Sequence, residues 1–170
     1  MTNGHEFGSV DIPLEVVAYD PSKLFLTNVI LCKRSHKPAE ALGEAEYRPK
    51  AFVPLMSRGV EFTPAGDLRF RKGEHLIAWF EIAMPHPVEP AERTVTFKLV
   101  LVSLATGKVV VDSGVVDAAP YVLTDHSTFD VAKEIGGFDK LPPGAYRIDV
   151  EALDQTGGNA VQSSTALTIE

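Results

Sequence analysis

The sequence predicts an all-β fold, an antiparallel β-sandwich of seven or eight strands with a long irregular insertion. Three observations predict it: short alternating or continuous apolar runs, turn signals rich in Gly, Pro and Asp between these runs, and the absence of a long helical pattern. A chain of 170 residues has the length of one domain and can bury a core without metals or disulfides. We therefore interpret residues 1–170 as a single domain.

The N-terminal half contains the first strands and the insertion. Apolar residues alternate from Val10 to Ala18, and Leu24 to Leu31 is a second short apolar run. Residues 33–66 begin as a charged, Pro-bounded stretch and end in turn signals, so we expect a long connection there. A strong strand is predicted from His75 to Ala83, after the turn at Lys72-Gly73.

The C-terminal half is predicted to form a succession of hairpins. TVTFKLVLVSLATGKVVVDSGVV has two β-branched runs around the short loop ATGK, in which Gly supplies a positive φ. STFDVAKEI predicts a strand that ends at Gly136-Gly137. The last two strands are predicted on either side of the turn DQTGGN, in RIDVEAL and AVQSSTALTI. In the first of these, alternate positions are apolar: Tyr146, Ile148, Val150 and Ala152.

The segment LPPGAYRIDV carries a pattern that is informative about the fold. In immunoglobulin-like sandwiches, a Tyr near the start of the penultimate strand hydrogen-bonds back to the preceding corner. Gly144 and Tyr146 stand where this tyrosine corner requires them, and ALDQTGGNA resembles the last hairpin of bacterial immunoglobulin-like and fibronectin-like domains. The resemblance implies an immunoglobulin/fibronectin-like sandwich, and it says almost nothing about function.

A narrower resemblance spans most of residues 10–169. DIPLEVVAYDPSKLFLTNVIL, FTPAGDLRFRKGEHLIAWFEIA and LPPGAYRIDVEALDQTGG follow in the order seen in the C-terminal region of bacterial von Willebrand factor A-related proteins. There a β-sandwich follows a metal-binding α/β domain. The resemblance implies an accessory module of an extracytoplasmic protein, with a protein or an adjacent domain of the same chain as its partner. The chain lacks the Asp-x-Ser-x-Ser motif that begins the von Willebrand metal site, so no residue of that site is carried over.

Composition argues against several classes of partner. A net charge of −7, without a basic stripe interleaved with aromatics, is unfavourable for binding nucleic acid. No apolar run reaches the roughly 18 residues of a membrane span, and MTNGHEFGSVD lacks the features of a secretory signal. The single cysteine, Cys32, ends an apolar run, which indicates a buried and inert thiol.

The sequence shows no pattern that points to catalysis or to a cofactor. TDHST places Asp125, His126 and Ser127 side by side, but neighbours in an extended chain point to opposite faces, so we interpret the stretch as a polar loop. The five histidines have no metal-ligand spacing, and a G-x-S-x-G elbow is missing. We therefore expect no enzymatic activity, no cofactor and no metal.

Trp79 is the one candidate for a binding surface. On the strand HLIAWFEI, Leu76 and Phe80 share one face, while Ile77, Trp79 and Glu81 share the other. If that second face looks outward, Trp79 would stack on a sugar ring or anchor a partner. The favoured interpretation is core packing, in the style of the Trp on strand C of immunoglobulin domains.

Two functions follow from these observations. The leading hypothesis is a non-catalytic structural or protein-interaction module that acts through exposed loops and sheet edges. The alternative is a carbohydrate-binding sandwich, which needs at least two exposed aromatic side chains in line. The candidates for that row are Trp79, Tyr47, Tyr121 and Phe129.

Overall fold

The computed structural model describes residues 20, 22–37, 55–85, 94–123 and 127–170. These residues form eleven β-strands in two sheets and two short 3-10 helices, so the all-β prediction is confirmed. Nowhere in the described ranges does a helix reach the length and apolarity needed to cross a membrane.

The strand number exceeds the predicted seven or eight because three strands have only two or three residues. The strands are β1 (Phe25–Leu26), β2 (Ile30–His36), β3 (Leu55–Ser57), β4 (Val60–Pro64), β5 (Arg69–Phe70), β6 (Ile77–Ala83), β7 (Val95–Ser103), β8 (Val109–Asp117), β9 (Thr128–Glu134), β10 (Gly144–Asp154) and β11 (Ala160–Ile169). The 3-10 helices are η1 (Ala119–Tyr121) and η2 (Phe138–Lys140).

The strand order has the immunoglobulin pattern. One sheet, the five-stranded sheet, has the order β5-β11-β10-β7-β8. In the other, the six-stranded sheet, β6 pairs with β9 on one side and with β1 and β2 on the other, and β4 and β3 follow β2. The run β11-β10-β7-β8 corresponds to strands G, F, C and C′, and β1/β2-β6-β9 corresponds to A, B and E. Strands β3, β4 and β5 are additions between A and B.

The main core lies between the two sheets and follows from the alternation in the sequence. Side chains that occupy every second position of β6, β7, β9 and β10 point inward and are buried. Phe80 of β6 packs edge-to-face on Phe97 of β7, with 5.4 Å between the ring centroids. Other members of this core are Leu76, Ala78, Ile82, Phe129, Val131, Tyr146, Ile148, Val150, Ala152, Leu167 and Ile169.

The prediction of a long connection over residues 33–66 is wrong at both ends of the segment. Residues 33–36 continue β2, and β3 and β4 form a hairpin whose turn has positive φ at Arg58 (51°) and Gly59 (76°). The strand signal is weak there because the second half of β2 pairs with β4 and is partly exposed, so polar residues are tolerated. Residues 38–54 lie outside the described ranges.

The six-stranded sheet curls until β3 approaches β9, and this curl encloses a second core. Ser57 Oγ donates a hydrogen bond of 2.5 Å to the carbonyl of Asp130, and the guanidinium of Arg58 lies 5.7 Å from the ring centroid of Tyr121. The enclosed side chains form the small core, defined as Cys32, Ile77 and Trp79 with Ile30, Leu55, Phe62 and Ala132 around them. Strand β6 is therefore buried on both faces, which explains why HLIAWFEI is apolar on both.

Cys32 belongs to this small core and is fully buried, as the apolar run before it predicts. Burial raises the pKa of the Cys32 thiol to about 11, because the thiolate would lose its hydration. The protonated thiol that dominates at neutral pH is a poor nucleophile.

Tyr146 makes the hydrogen bond of a tyrosine corner. Its ring is buried at the start of β10, and its hydroxyl donates a 2.7 Å hydrogen bond to the carbonyl of Pro142. This bond ties the β9–β10 connection to the core. A Cβ added to Gly144 would lie 3.7 Å from Tyr146 Cε2, an ordinary contact, so the Gly of the motif is not sterically required.

We expect Tyr146→Phe to lower the free energy of unfolding by about 0.5–1.5 kcal/mol, the net contribution of one hydrogen bond. We expect a loss near the low end of that range, because Pro142 is exposed and water can take the place of the Tyr146 hydroxyl as donor to its carbonyl. Urea unfolding measures the change. Gly144→Ala is the matched control and should stay within about 0.5 kcal/mol of the native chain; a larger loss for the Gly variant than for Tyr146→Phe would contradict this account of the corner.

Candidate functional site

Trp79 does not form an exposed platform. Its side chain is only 5% exposed, and its indole Nε1 donates a 2.9 Å hydrogen bond to the carbonyl of Met56 in β3. The hypothesis of an outward-facing Trp79 is therefore wrong, because the curled β3–β4 hairpin covers that face of β6. The favoured prediction, that Trp79 packs in a core, is confirmed. The comparison with the Trp of strand C is wrong in detail, since β6 corresponds to strand B and Trp79 faces the small core instead of the main one.

The other aromatic candidates give no row for a sugar. Phe129 is fully buried, and Tyr121 packs edge-to-face on Phe97 with 5.9 Å between centroids. Tyr47 lies outside the described residues. In the described part of the chain, the large apolar side chains that are exposed are all leucines and valines. The described aromatics thus lend no support to the carbohydrate-binding alternative.

The residues considered for catalysis and metal binding lie apart. Asp125 and His126 fall outside the described ranges, and Ser127 accepts a 2.8 Å hydrogen bond at its carbonyl from the Met84 amide. Each described histidine faces a single carboxylate. His36 Nε2 is 3.4 Å from Glu61, and His75 Nδ1 is 2.7 Å from Glu134. No three His, Cys, Asp or Glu side chains in the described ranges are grouped as metal ligands.

A cleft of about 660 Å³ opens beside Trp79, at the mouth of the curled sheet. Two carboxylates line it: Glu81 of β6 and Asp130 of β9 are direct cross-strand partners, so their side chains share one face. We call this the Trp79 cleft, and its lining consists of Thr27, Asn28, Ile30, Leu55, Met56, Trp79, Glu81, Leu123 and Asp130. The sequence analysis missed it because the lining comes from segments far apart along the chain. The one local signal is Glu81, which follows two apolar residues on its face of β6.

A second surface lies on the five-stranded sheet and is apolar. Six large apolar side chains in the described residues are exposed, and five of them belong to this sheet or its loops. Val115 is 72% exposed and Val109 is 53% exposed. We call these five residues the aliphatic surface: Leu68, Leu104, Val109, Val110 and Val115.

The aliphatic surface contains a shallow groove. Leu68 and Leu104 stand on the two sides of Ala145 and Ala166, whose small side chains form the floor of a hollow of about 340 Å³. Beside it, Val109 is the cross-strand partner of Val102. Apolar side chains thus continue across the sheet from the β5 side to β8.

Paired charges lie next to the aliphatic surface. Arg147 donates two hydrogen bonds to Asp149, of 2.6 and 2.8 Å, and Ser164 Oγ donates another of 2.7 Å. The Arg147 guanidinium is the main reason that the pKa of Asp149 is lowered. Lys98 Nζ lies 2.9 Å from Asp112, and this contact is the main reason that the pKa of Asp112 is lowered. Because each charge has a partner, this part of the sheet presents ordered polar groups around the apolar ones.

The backbone edge of β8 is irregular. Its register with β7 shifts twice, and the Leu99 amide donates to Ser113 Oγ where a regular ladder would offer a carbonyl. Gly114 takes a positive φ of 65° at the second shift. Such bulges are a common way to keep an edge strand from pairing with another chain. A partner would therefore contact this surface through side chains more than through the β8 backbone.

Comparison with known proteins leaves the family open. No family model matches the chain, and no curated protein matches it. Among solved structures, the soluble domain of PmoD from a Methylocystis species is similar over 84% of this chain and 90% of that chain, with a TM-score of 0.32 and 10% identity. A likeness this low carries no argument about function.

Proposed function

We propose that this chain is a non-catalytic β-sandwich module that binds another protein, or an adjacent domain of its own chain, through the aliphatic surface. The observation that carries the proposal is the concentration of five of the six exposed large apolar side chains on one sheet. Exposed apolar patches can mark interaction sites on soluble proteins. Here the exposed apolar side chains occur from Leu68 and Leu104 at the groove to Val109 and Val115 on β8, with the Lys98–Asp112 pair between the last two. The paired charges beside the patch fit the polar rim that surrounds the apolar centre of an interface.

We further propose that the module serves a von Willebrand A-related protein outside the cytoplasm, as the resemblance over residues 10–169 implies. The reading frame upstream of Met1 in the source DNA tests this part. An upstream domain with an Asp-x-Ser-x-Ser motif and an export signal would support it. A stop codon directly before Met1 would overturn it and would leave the interaction proposal standing.

Site-specific photocrosslinking in the source cells tests the interaction. A photoreactive residue in place of Val115 lies in the aliphatic surface, and the same residue in place of Arg34 is the control, because Arg34 is an exposed residue of β2 in the other sheet. We expect a discrete adduct from position 115 and none from position 34. Val109→Lys in the same chain should abolish the adduct. Equal crosslinking at both positions, or none at 115, would overturn the proposal.

A further inference from the structure

We infer that this chain forms a two-fold symmetric dimer, in which the outer edge of β11 pairs antiparallel with the same edge of a second copy. The edge comprises residues 160–166, and the centre of the pairing is Ser163. The inference rests on the backbone of β11 and does not depend on the proposed role of the aliphatic surface.

The outer edge of β11 is the side turned away from β10. Backbone groups at even positions point to this side, because the amides of Thr168 and Glu170 donate to the carbonyls of Leu68 and Phe70 beside β11. Strand β5 covers only the end of β11. Among the described residues, no strand pairs with this side of residues 160–166, so the edge presents a row of N–H and C=O groups.

This edge lacks the features by which natural proteins prevent pairing between chains. Residues 160–166 include no charged residue, no Pro and no Gly, and their register with β10 runs without a shift. The other edge strands in the described ranges differ. Strands β1, β3 and β5 have two or three residues, β8 is bulged, and β9 carries charged side chains. Of the described edges, that of β11 is therefore the best suited to extend a sheet.

Hydrogen bonds hold the side chains of β11 away from this edge. Gln162 Nε2 donates to Glu151 at 2.5 Å and Ser164 Oγ donates to Asp149 at 2.7 Å, and both acceptors lie on β10. On the inner face, Thr165 Oγ donates a 2.7 Å hydrogen bond to a backbone carbonyl of the β1–β2 connection. The strand is thus ordered before a partner arrives, so pairing costs little conformational entropy.

The residues of the edge favour a second copy as the partner. Antiparallel pairing about a two-fold axis at Ser163 brings no two charged side chains together. Even positions then face even positions, so their N–H and C=O groups bond to each other and the two five-stranded sheets become one. The facing pairs are Ser163 with itself, Gln162 with Ser164, Val161 with Thr165, and Ala160 with Ala166.

The net charge sets the conditions under which the dimer forms. Each copy carries a charge of −7, so two copies repel each other at long range. Salt screens this repulsion and leaves the backbone hydrogen bonds between the edges in place. We therefore expect the dimer to become more stable between low and physiological ionic strength. A contact made by complementary charges would show the opposite dependence.

Sedimentation velocity at increasing protein concentration, in low and in physiological salt, tests for the dimer. Ser164→Pro removes an amide that points to the outer edge, a place where strands tolerate Pro, and should raise the dimer dissociation constant roughly tenfold or more. Ser164→Ala is the matched control, because it loses the same hydrogen bond to Asp149 and keeps the amide. Ser164→Ala and Val115→Lys, the latter in the aliphatic surface, should both dimerise like the native chain.

Ser163→Cys gives a second measurement that does not depend on the fold of the Pro variant. Opposite residues of a non-hydrogen-bonded antiparallel pair have Cα atoms about 4.5 Å apart, within the range that a disulfide spans. Mild oxidation should therefore link two copies of this variant. Val161→Cys is the control and should stay largely unlinked, because Val161 faces Thr165 of the second copy. Cys32 is buried and does not compete.

Four results would each overturn the inference. They are a native chain that stays monomeric at all concentrations, a Ser164→Pro variant that dimerises like Ser164→Ala, equal linking at positions 161 and 163, and loss of the dimer in Val115→Lys. The last result would place the contact between copies on the aliphatic surface instead of the β11 edge.

Discussion

Replacement of Trp79 by Ala is expected to lower the free energy of unfolding by about 3–5 kcal/mol, the usual loss for a large buried aromatic side chain. The indole fills the small core and its Nε1 holds β3 through the carbonyl of Met56. The variant loses both the packing and the contact that helps to close the curled sheet. Urea unfolding followed by circular dichroism measures the change.

Trp79→Phe is the matched control, because it retains an aromatic ring and loses the N–H donor. We expect it to cost about 1–3 kcal/mol, clearly less than the Ala variant. An Ala variant within about 1 kcal/mol of the native chain would show that the small core contributes little to stability. It would also remove the basis for a cleft of defined shape beside it.

Cys32 provides an independent measurement on the same core. The thiol is buried and its pKa is raised to about 11 by burial, so alkylation requires opening of the sheet around it. We expect Trp79→Ala to accelerate alkylation of Cys32 under native conditions. If opening is local, the acceleration will exceed that expected from the change in global stability.

Replacement of Gly157 by Ala is expected to lower the free energy of unfolding by about 1–3 kcal/mol, the range for overpacking. A Cβ at this position would lie 2.6 Å from Asp154 Oδ2 and 2.9 Å from Asn159 Nδ2. Asp154 has little freedom to move, because it is buried and its other carboxylate oxygen accepts the Thr156 amide at 2.9 Å. The β10–β11 turn must therefore distort.

The control is Gly136→Ala, in the turn after β9. A Cβ there meets nothing within 4 Å, and Gly136 does not have a positive φ. The substitution should leave stability unchanged or raise it by about 0.4–1 kcal/mol, since Ala reduces the freedom of the unfolded chain. Thermal unfolding of the two variants side by side checks the pair. Equal losses of stability in the two variants would mean that the close contacts in the β10–β11 turn do not explain the effect of Gly157→Ala.

Most strands of the immunoglobulin-like pattern were predictable because their signals are local. The alternation from Tyr146 to Ala152 places every second side chain in the main core, and DQTGGN forms the turn that leads into β11. The second half of β2 and the β3–β4 hairpin were not predictable in the same way. They carry polar residues, and their pairing depends on contacts outside each segment.

The sequence by itself determined the all-β class, the β7–β8 and β10–β11 hairpins and the position of Tyr146 at a corner, because side-chain periodicity and turn chemistry act over a few residues. Only the tertiary structure decided that Trp79 is buried beside an acidic cleft. That outcome depends on the curl of the six-stranded sheet, in which Ser57 contacts Asp130, 73 residues away. A contact between residues so far apart in the chain produces no periodic pattern of apolar residues in either segment.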